Sequence, residues 1–252
     1  MRIGVDPEWL EVWKNGRPVN TFLGILMLDT HFPRVPGDIG RADSFRFPVR
    51  YLTVPGASPE RVVLRADSAL LQPFVDAARA LCDEGAAAIA TSCGFLSLWQ
   101  RELQAALPVP VWTSSLLKLR ELRRPGVVTV DAQSLSDAHL LAAGADPATP
   151  VEGLRDGCAL QRTLLGDLPE LDVDAAARDT VEAAQRLVAQ SPWVADIVLE
   201  CTNLPPYAAA VRAATGRPVH DIVSFLHERW AAGDQNRCPI HNCAALRSRW
   251  LL

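Results

Sequence analysis

The sequence lacks a basic field, a long apolar run and a cysteine framework, and each absence removes a class of function. Lys and Arg number 25 against 29 Asp and Glu, for a formal net charge of −4, and the cations are scattered rather than clustered. A nucleic-acid backbone would need a positive stripe, so nucleic acid is excluded as a partner. No stretch of about 18 apolar residues occurs, which leaves no membrane-spanning helix to predict and no membrane partner. The opening MRIGVDPEWLEVW carries Asp6, Glu8 and Glu11 where a secretory leader needs a basic start and an apolar run, so the expected compartment is the cytoplasm. Six cysteines, Cys82, Cys93, Cys158, Cys201, Cys238 and Cys243, are too few and too irregular for a disulfide-stapled secreted domain and are expected as thiols.

What is present is an ordinary core: 252 residues, 49% of them hydrophobic, enough for one large domain or two small ones. Short apolar runs ending in small or polar residues alternate with helical patterns, the signature of an α/β fold with mostly parallel sheet. Strands are predicted at Gly24–Leu28, Arg50–Val54, Ala87–Thr91, Val109–Thr113, from Gly126 through GVVTV, and at Asp196–Leu199. Between them, a helix capped by Asp67 or Ser68 presents Leu70, Leu71, Phe74, Ala78, Leu81 and Cys82, which makes Cys82 a core residue. Further helices are predicted after Cys93, over Asp174–Gln190, and from Pro205, where a missing N–H costs nothing. The loop HFPRVPGDIG is too rich in Pro and Gly for a helix, and the segment from Val151 to Leu171 gives mixed signals and no assignment.

The two halves repeat. An offset of 108 carries Ala87 to Ala195, Ile89 to Ile197, Cys93 to Cys201, Pro110 to Pro218 and Val111 to Val219. Upstream, an offset of 102 carries Gly24 to Gly126 and Asp29 to Asp131, so each half opens with a glycine, an apolar strand and an aspartate. Alanine matches alone carry little in an Ala-rich chain, but coincident Cys, Pro and Gly-to-Asp positions make duplication the better reading. Two similar α/β halves, with ligands bound beyond the C-terminal ends of their strands, would bring Cys93 and Cys201 to one shared cleft.

Two opposed thiols suit one task in particular. A carbon beside a carboxylate is inverted by taking its hydrogen from one face and delivering a proton to the other, which needs an acid/base group on each side. A thiol at a helix N-terminus titrates lower than its usual value, so thiolates are expected near neutral pH at both strand-to-helix turns. The free N–H groups there can also hold a carboxylate.

TSCGF (Thr91 to Phe95) and LECTN (Leu199 to Asn203), each after an apolar strand, resemble the aspartate/glutamate/hydantoin racemase superfamily, over roughly Gly24 to Phe225. The resemblance implies two similar parallel-sheet α/β domains about a pseudo-twofold axis, 1–116 plus about 217–252 and 117–216, with the site between them. It implies Cys93 and Cys201 as the acid/base pair and no cofactor. Thr202 matches a small polar position after the second cysteine, and Asp29-Thr30 matches an acidic residue followed by Ser or Thr. The chain also departs from the family pattern: Gly94-Phe95 stands where many members have Asn-Thr, Asn203 where glutamate racemases have a histidine, and Glu200 where glycine is usual.

Around the cysteines, the candidate substrate-binding residues are Asp29, Thr30, Arg34, Ser92, Gly94, Thr202 and Asn203. Asp29 could equally cap its loop, Ser92 and Asn203 could be turn residues, and Arg34 could clamp a carboxylate or be solvated. Free cysteine is itself often a small buried hydrophobe, but placement at repeat-related strand ends favours function for this pair. Cys238, His241 and Cys243 offer only three ligands without a fourth, so no metal is expected, and Cys158 carries no signal. The leading expectation is an isomerase, an amino-acid racemase or epimerase acting on a small carboxylate or amino acid. Another cysteine-dependent reaction on the same scaffold, such as maleate-type isomerisation or malonate decarboxylation, and a binding protein with a degenerate site are the alternatives. A homodimer is left open.

Overall fold

The fold is seen in a computed structural model that describes residues 21–233. The first half builds a sheet from β1 (Phe22–Leu28), β2 (Val49–Val54), β3 (Ala86–Thr91) and β4 (Val111–Trp112), all parallel, in the order β2-β1-β3-β4. The second half repeats this with β5 (Pro125–Thr129), β6 (Val151–Gly153), β7 (Asp196–Leu199) and β8 (Val219–His220), in the order β6-β5-β7-β8. In β1 all residues but Met27 are buried, as a parallel strand covered on both faces requires.

The sequence repeat survives as strand register. Gly24 lies opposite Ile89 and Gly126 opposite Ile197, while Ile89 faces Val111 and Ile197 faces Val219. Each central glycine is a notch for a helix leucine: a Cβ on Gly24 would come within 2.9 Å of Leu81, and one on Gly126 within 2.9 Å of Leu187. Those leucines belong to α1 (Leu71–Asp83) and α5 (Val173–Gln190). The turn before α1 is capped by Asp67, which accepts from the Ala69 N–H, and α5 is capped by Asp172, which accepts from Ala175.

The remaining helices are α2 (Gln100–Ala106), α3 (Asp137–Ala142), α4 (Ala159–Leu165), α6 (Ala208–Thr215) and α7 (Ile222–Ala231). The segment without a predicted assignment thus folds as β6, α4 and a tight turn at Asp167, whose φ of 48° is left-handed. β8 pairs with β7 in the second sheet, and α7 follows it and packs against the first half. There Trp230 stacks on Phe47 at 4.5 Å. No helix among the described residues is long and apolar enough to cross a membrane. The Cys238, His241 and Cys243 cluster lies outside the described residues; among them, no group of His, Cys, Asp and Glu could hold a metal.

Candidate active site

β3 and β7 occupy equivalent central places in their sheets, and Cys93 and Cys201 stand just beyond their C-terminal ends. Both thiols are buried, and both line one cavity. Its wall also includes Phe32, Arg34, Ser92, Gly94, Phe95, Glu200, Thr202 and Asn203, closed by Leu28, Val63, Val130, Leu164 and Leu165.

Three hydrogen bonds tie the two halves beside the thiols. Thr202 donates its hydroxyl to the Ser92 carbonyl at 2.6 Å, Ser115 donates to the Leu199 carbonyl at 2.7 Å, and the Asn203 amide donates to Asp38 at 2.6 Å. Asn203 also accepts from the Cys201 thiol at 3.7 Å. Asp38 is the hub: its other oxygen accepts from Arg34 at 3.1 Å and from the Gly40 N–H at 2.7 Å. Arg34 is not a solvated loop residue. It lies over the Phe32 ring at 4.4 Å and donates to Thr30 at 2.9 Å, so its guanidinium is preset at the cavity wall.

The expected site residues divide accordingly. Arg34, Ser92, Gly94, Thr202 and Asn203 come together around the cysteines. Asp29 and Thr30 are not on the wall: Asp29 accepts from the Gly56 N–H at 3.0 Å in the turn after β2, and Thr30 holds Arg34.

Glu200 enters as a departure from a family pattern, and the geometry explains it together with Gly94. The Glu200 side chain fills the space that a residue at 94 would need, since a Cβ on Gly94 would fall 2.2 Å from its Oε1 and 2.5 Å from its carbonyl oxygen. Oε2 accepts from the Thr129 hydroxyl at 2.7 Å, whereas Oε1 is buried without a partner. Burial pushes the Glu200 carboxyl up to about 7 against the Thr129 bond, a shift of roughly 3 kcal/mol toward the neutral form.

The thiols behave contrary to expectation. Burial, with Glu200 adding, pushes Cys93 up to about 12, although the Phe95 and Leu96 N–H groups and Arg34 oppose it. Cys201 is likewise raised well above the ordinary thiol value by burial, Glu200 and Cys93, against the Asn203 N–H. Helix-end stabilisation of the thiolates is lost for a physical reason: Cys93 leads into a 3-10 turn, Gly94–Trp99, and Cys201 into a turn ahead of the Pro205–Tyr207 3-10 segment, so neither stands at the start of an α-helix. Two N–H groups at Cys93 and one at Cys201 do not offset desolvation beside a carboxyl.

Sequence reading missed Asp167, in the unassigned segment. Its carboxylate crosses to the first half, accepting the His31 and Phe32 N–H groups at 2.6 and 3.2 Å and pairing with the His31 ring at 2.7 Å. It thereby fixes Phe32, a wall residue, against α4. Burial raises Asp167, but the His31 ring and the two N–H groups outweigh it and hold the carboxyl below its ordinary range. The bond to Asp167 raises His31 in return. The charged clasp is therefore complete from the lowered Asp167 value up to the raised His31 value. Its aspartate contribution is lost as pH falls through the first, and its histidine contribution as pH rises through the second. Asp167→Ala is expected to raise KM roughly three- to tenfold with kcat little changed, as for one or two lost hydrogen bonds; steady-state kinetics with KM unaltered would remove the clasp from substrate binding.

No family model matches the chain. It is 32% identical over 216 residues to a dimethylsulfoniopropionate lyase of Durusdinium sp. clade D, covering 80% of this chain and 71% of that protein. It is 31% identical over 239 residues to dimethylsulfoniopropionate lyase 6 of Emiliania huxleyi, covering 87% of this chain and 62% of that longer protein. Solved structures of similar fold include an allantoin racemase from Pseudomonas fluorescens, with TM-score 0.58 and 19% identity over 84% of this chain and 92% of that one. They also include a Gly74Cys mutant of arylmalonate decarboxylase, with TM-score 0.57 and 18% identity over 86% and 95%. The fold is that of the Asp/Glu/hydantoin racemase superfamily, as the paired cysteine motifs implied. The expected activity is not: relatives named as lyases overturn both the amino-acid racemase or epimerase and the assignment to the isomerases. A scaffold shared with racemases fixes where the thiols stand and leaves the reaction open, and by its sequence this chain belongs to the dimethylsulfoniopropionate lyase family.

Proposed function

We propose that this protein is a carbon–sulfur lyase that cleaves dimethylsulfoniopropionate to dimethyl sulfide and acrylate. The observation that carries the reading is the pair of thiols, one from each half, on the wall of one cavity with a guanidinium, in a chain of this family. The substrate class is a small carboxylate. Its carboxylate would meet Arg34 and the N–H groups just after Cys93, which also stabilise the charge that builds on the carboxylate as the α-proton leaves.

Elimination needs one base. A cysteine thiolate takes a proton from the carbon next to the carboxylate, the C–H electrons become the new carbon–carbon double bond, and the bond from the β-carbon to sulfur breaks with its electrons staying on sulfur. The products are neutral dimethyl sulfide, acrylate and a thiol, which returns its proton to water. Thiols raised by burial and by Glu200 suit this substrate, because its sulfonium brings into the cavity the positive charge that favours a thiolate.

The test is to incubate the purified protein with dimethylsulfoniopropionate and measure headspace dimethyl sulfide and dissolved acrylate. Equal amounts of both are expected. Acrylate without dimethyl sulfide, or neither product from a folded protein, overturns the reading.

A further inference from the structure

We propose that Glu200 is the carboxylate by which the cavity selects an onium group, so that with Arg34 it forms a site matched to a zwitterion. This rests on the reading of the cavity as the substrate site. Among the described residues on its wall, only Arg34 and Glu200 carry a formal charge, one of each sign and one from each half of the chain.

Glu200 is not part of a structural ion pair. No Lys or Arg among the described residues bonds to it; Thr129 satisfies one oxygen, and the other is buried without a partner. Its place is nevertheless specified, because Gly94 leaves room that any side chain at 94 would take. A buried carboxyl with an unmet oxygen is costly unless a cation comes to it. The nearby groups that titrate, Cys93 and Cys201, become negative when they ionise and supply no cation.

A sulfonium or quaternary ammonium group has no N–H, so hydrogen-bond acceptors cannot single it out. Charge in a poorly hydrated pocket can, assisted by apolar surface and ring faces. Leu28, Phe32, Phe95 and Val130 supply that surface in the same cavity as Glu200.

The test uses trimethylammoniopropionate and its tert-butyl isostere, in which carbon replaces the nitrogen. Both keep the carboxylate and the shape and differ by one positive charge, and neither carries a sulfonium leaving group, so calorimetry reads binding alone. Wild-type protein is expected to bind the onium compound at least about tenfold more tightly. Glu200→Gln is expected to bring the two within about threefold, mainly by weakening the onium compound. No preference in the wild-type protein overturns the proposal without recourse to any variant, and a full preference retained by Glu200→Gln overturns it as well. Failure of the lyase reading would show separately, as absence of dimethyl sulfide, while the onium preference remained measurable.

Discussion

Serine in place of Cys93, of Cys201 and of both is expected to abolish dimethyl sulfide release in a non-additive way. The more damaging single variant should lose about 10²–10⁴ in kcat, the range for removing a positioned base. The double variant should lie within a few-fold of it, because groups that act as one unit cannot be lost twice. A serine hydroxyl keeps the shape but is a far weaker base than a thiolate. Elimination, unlike racemisation, takes a proton from one face only, so the two single losses need not match, and the milder variant marks the thiol that assists. The measurement is initial rate of dimethyl sulfide release with circular dichroism to confirm folding. Both single variants within about threefold of the wild-type kcat would remove the thiols from the chemistry.

Gly94→Ala tests the packing that makes room for Glu200. The added methyl would stand 2.2 Å from Glu200 Oε1 and 2.5 Å from its carbonyl oxygen, and the second of these belongs to backbone held in place by the Glu200 N–H bond to Val128 at 2.8 Å. Overpacking of this kind costs about 1–3 kcal/mol, equivalent to a fall of roughly 2–10 °C in Tm for a chain of this size. Because the strain falls between the two cysteines, activity should drop by more than tenfold even where the protein stays folded, as expected when catalytic groups shift by even about 1 Å. Glu200→Gly in the same chain clears the side-chain clash and leaves the carbonyl clash, so thermal stability should recover in part. A Gly94→Ala protein that melts within about 1 °C of wild type with unchanged kcat would show that the close approach is not a real constraint.

The electrostatics of the two thiols reverse the simplest expectation. From sequence, a cysteine between a strand and a helix reads as an activated thiolate. In the folded chain each cysteine instead meets burial and Glu200, which raise both thiols and favour the protonated form. The departures at Gly94 and Glu200, separate oddities in the sequence, are two sides of one contact.

By itself the sequence determined the α/β class, the duplicated architecture and the cysteine pair. These are written in local patterns: apolar runs set strands, a cap at Asp67 sets a helix start, and a fixed offset repeats the cysteines after equivalent strands. Only the tertiary structure decided what surrounds the thiols. Asp38 reaches Asn203, Asp167 reaches His31, and Gly94 makes way for Glu200 across sequence separations that no periodicity records. Asp167 left no sequence signal because a lone aspartate in an irregular turn looks like any solvated turn residue. Whether the loop side chains of Arg34 and Asp29 face the cavity or a neighbouring turn is likewise set by packing, and burial then fixes the acidity of the thiols and the Glu200 carboxyl.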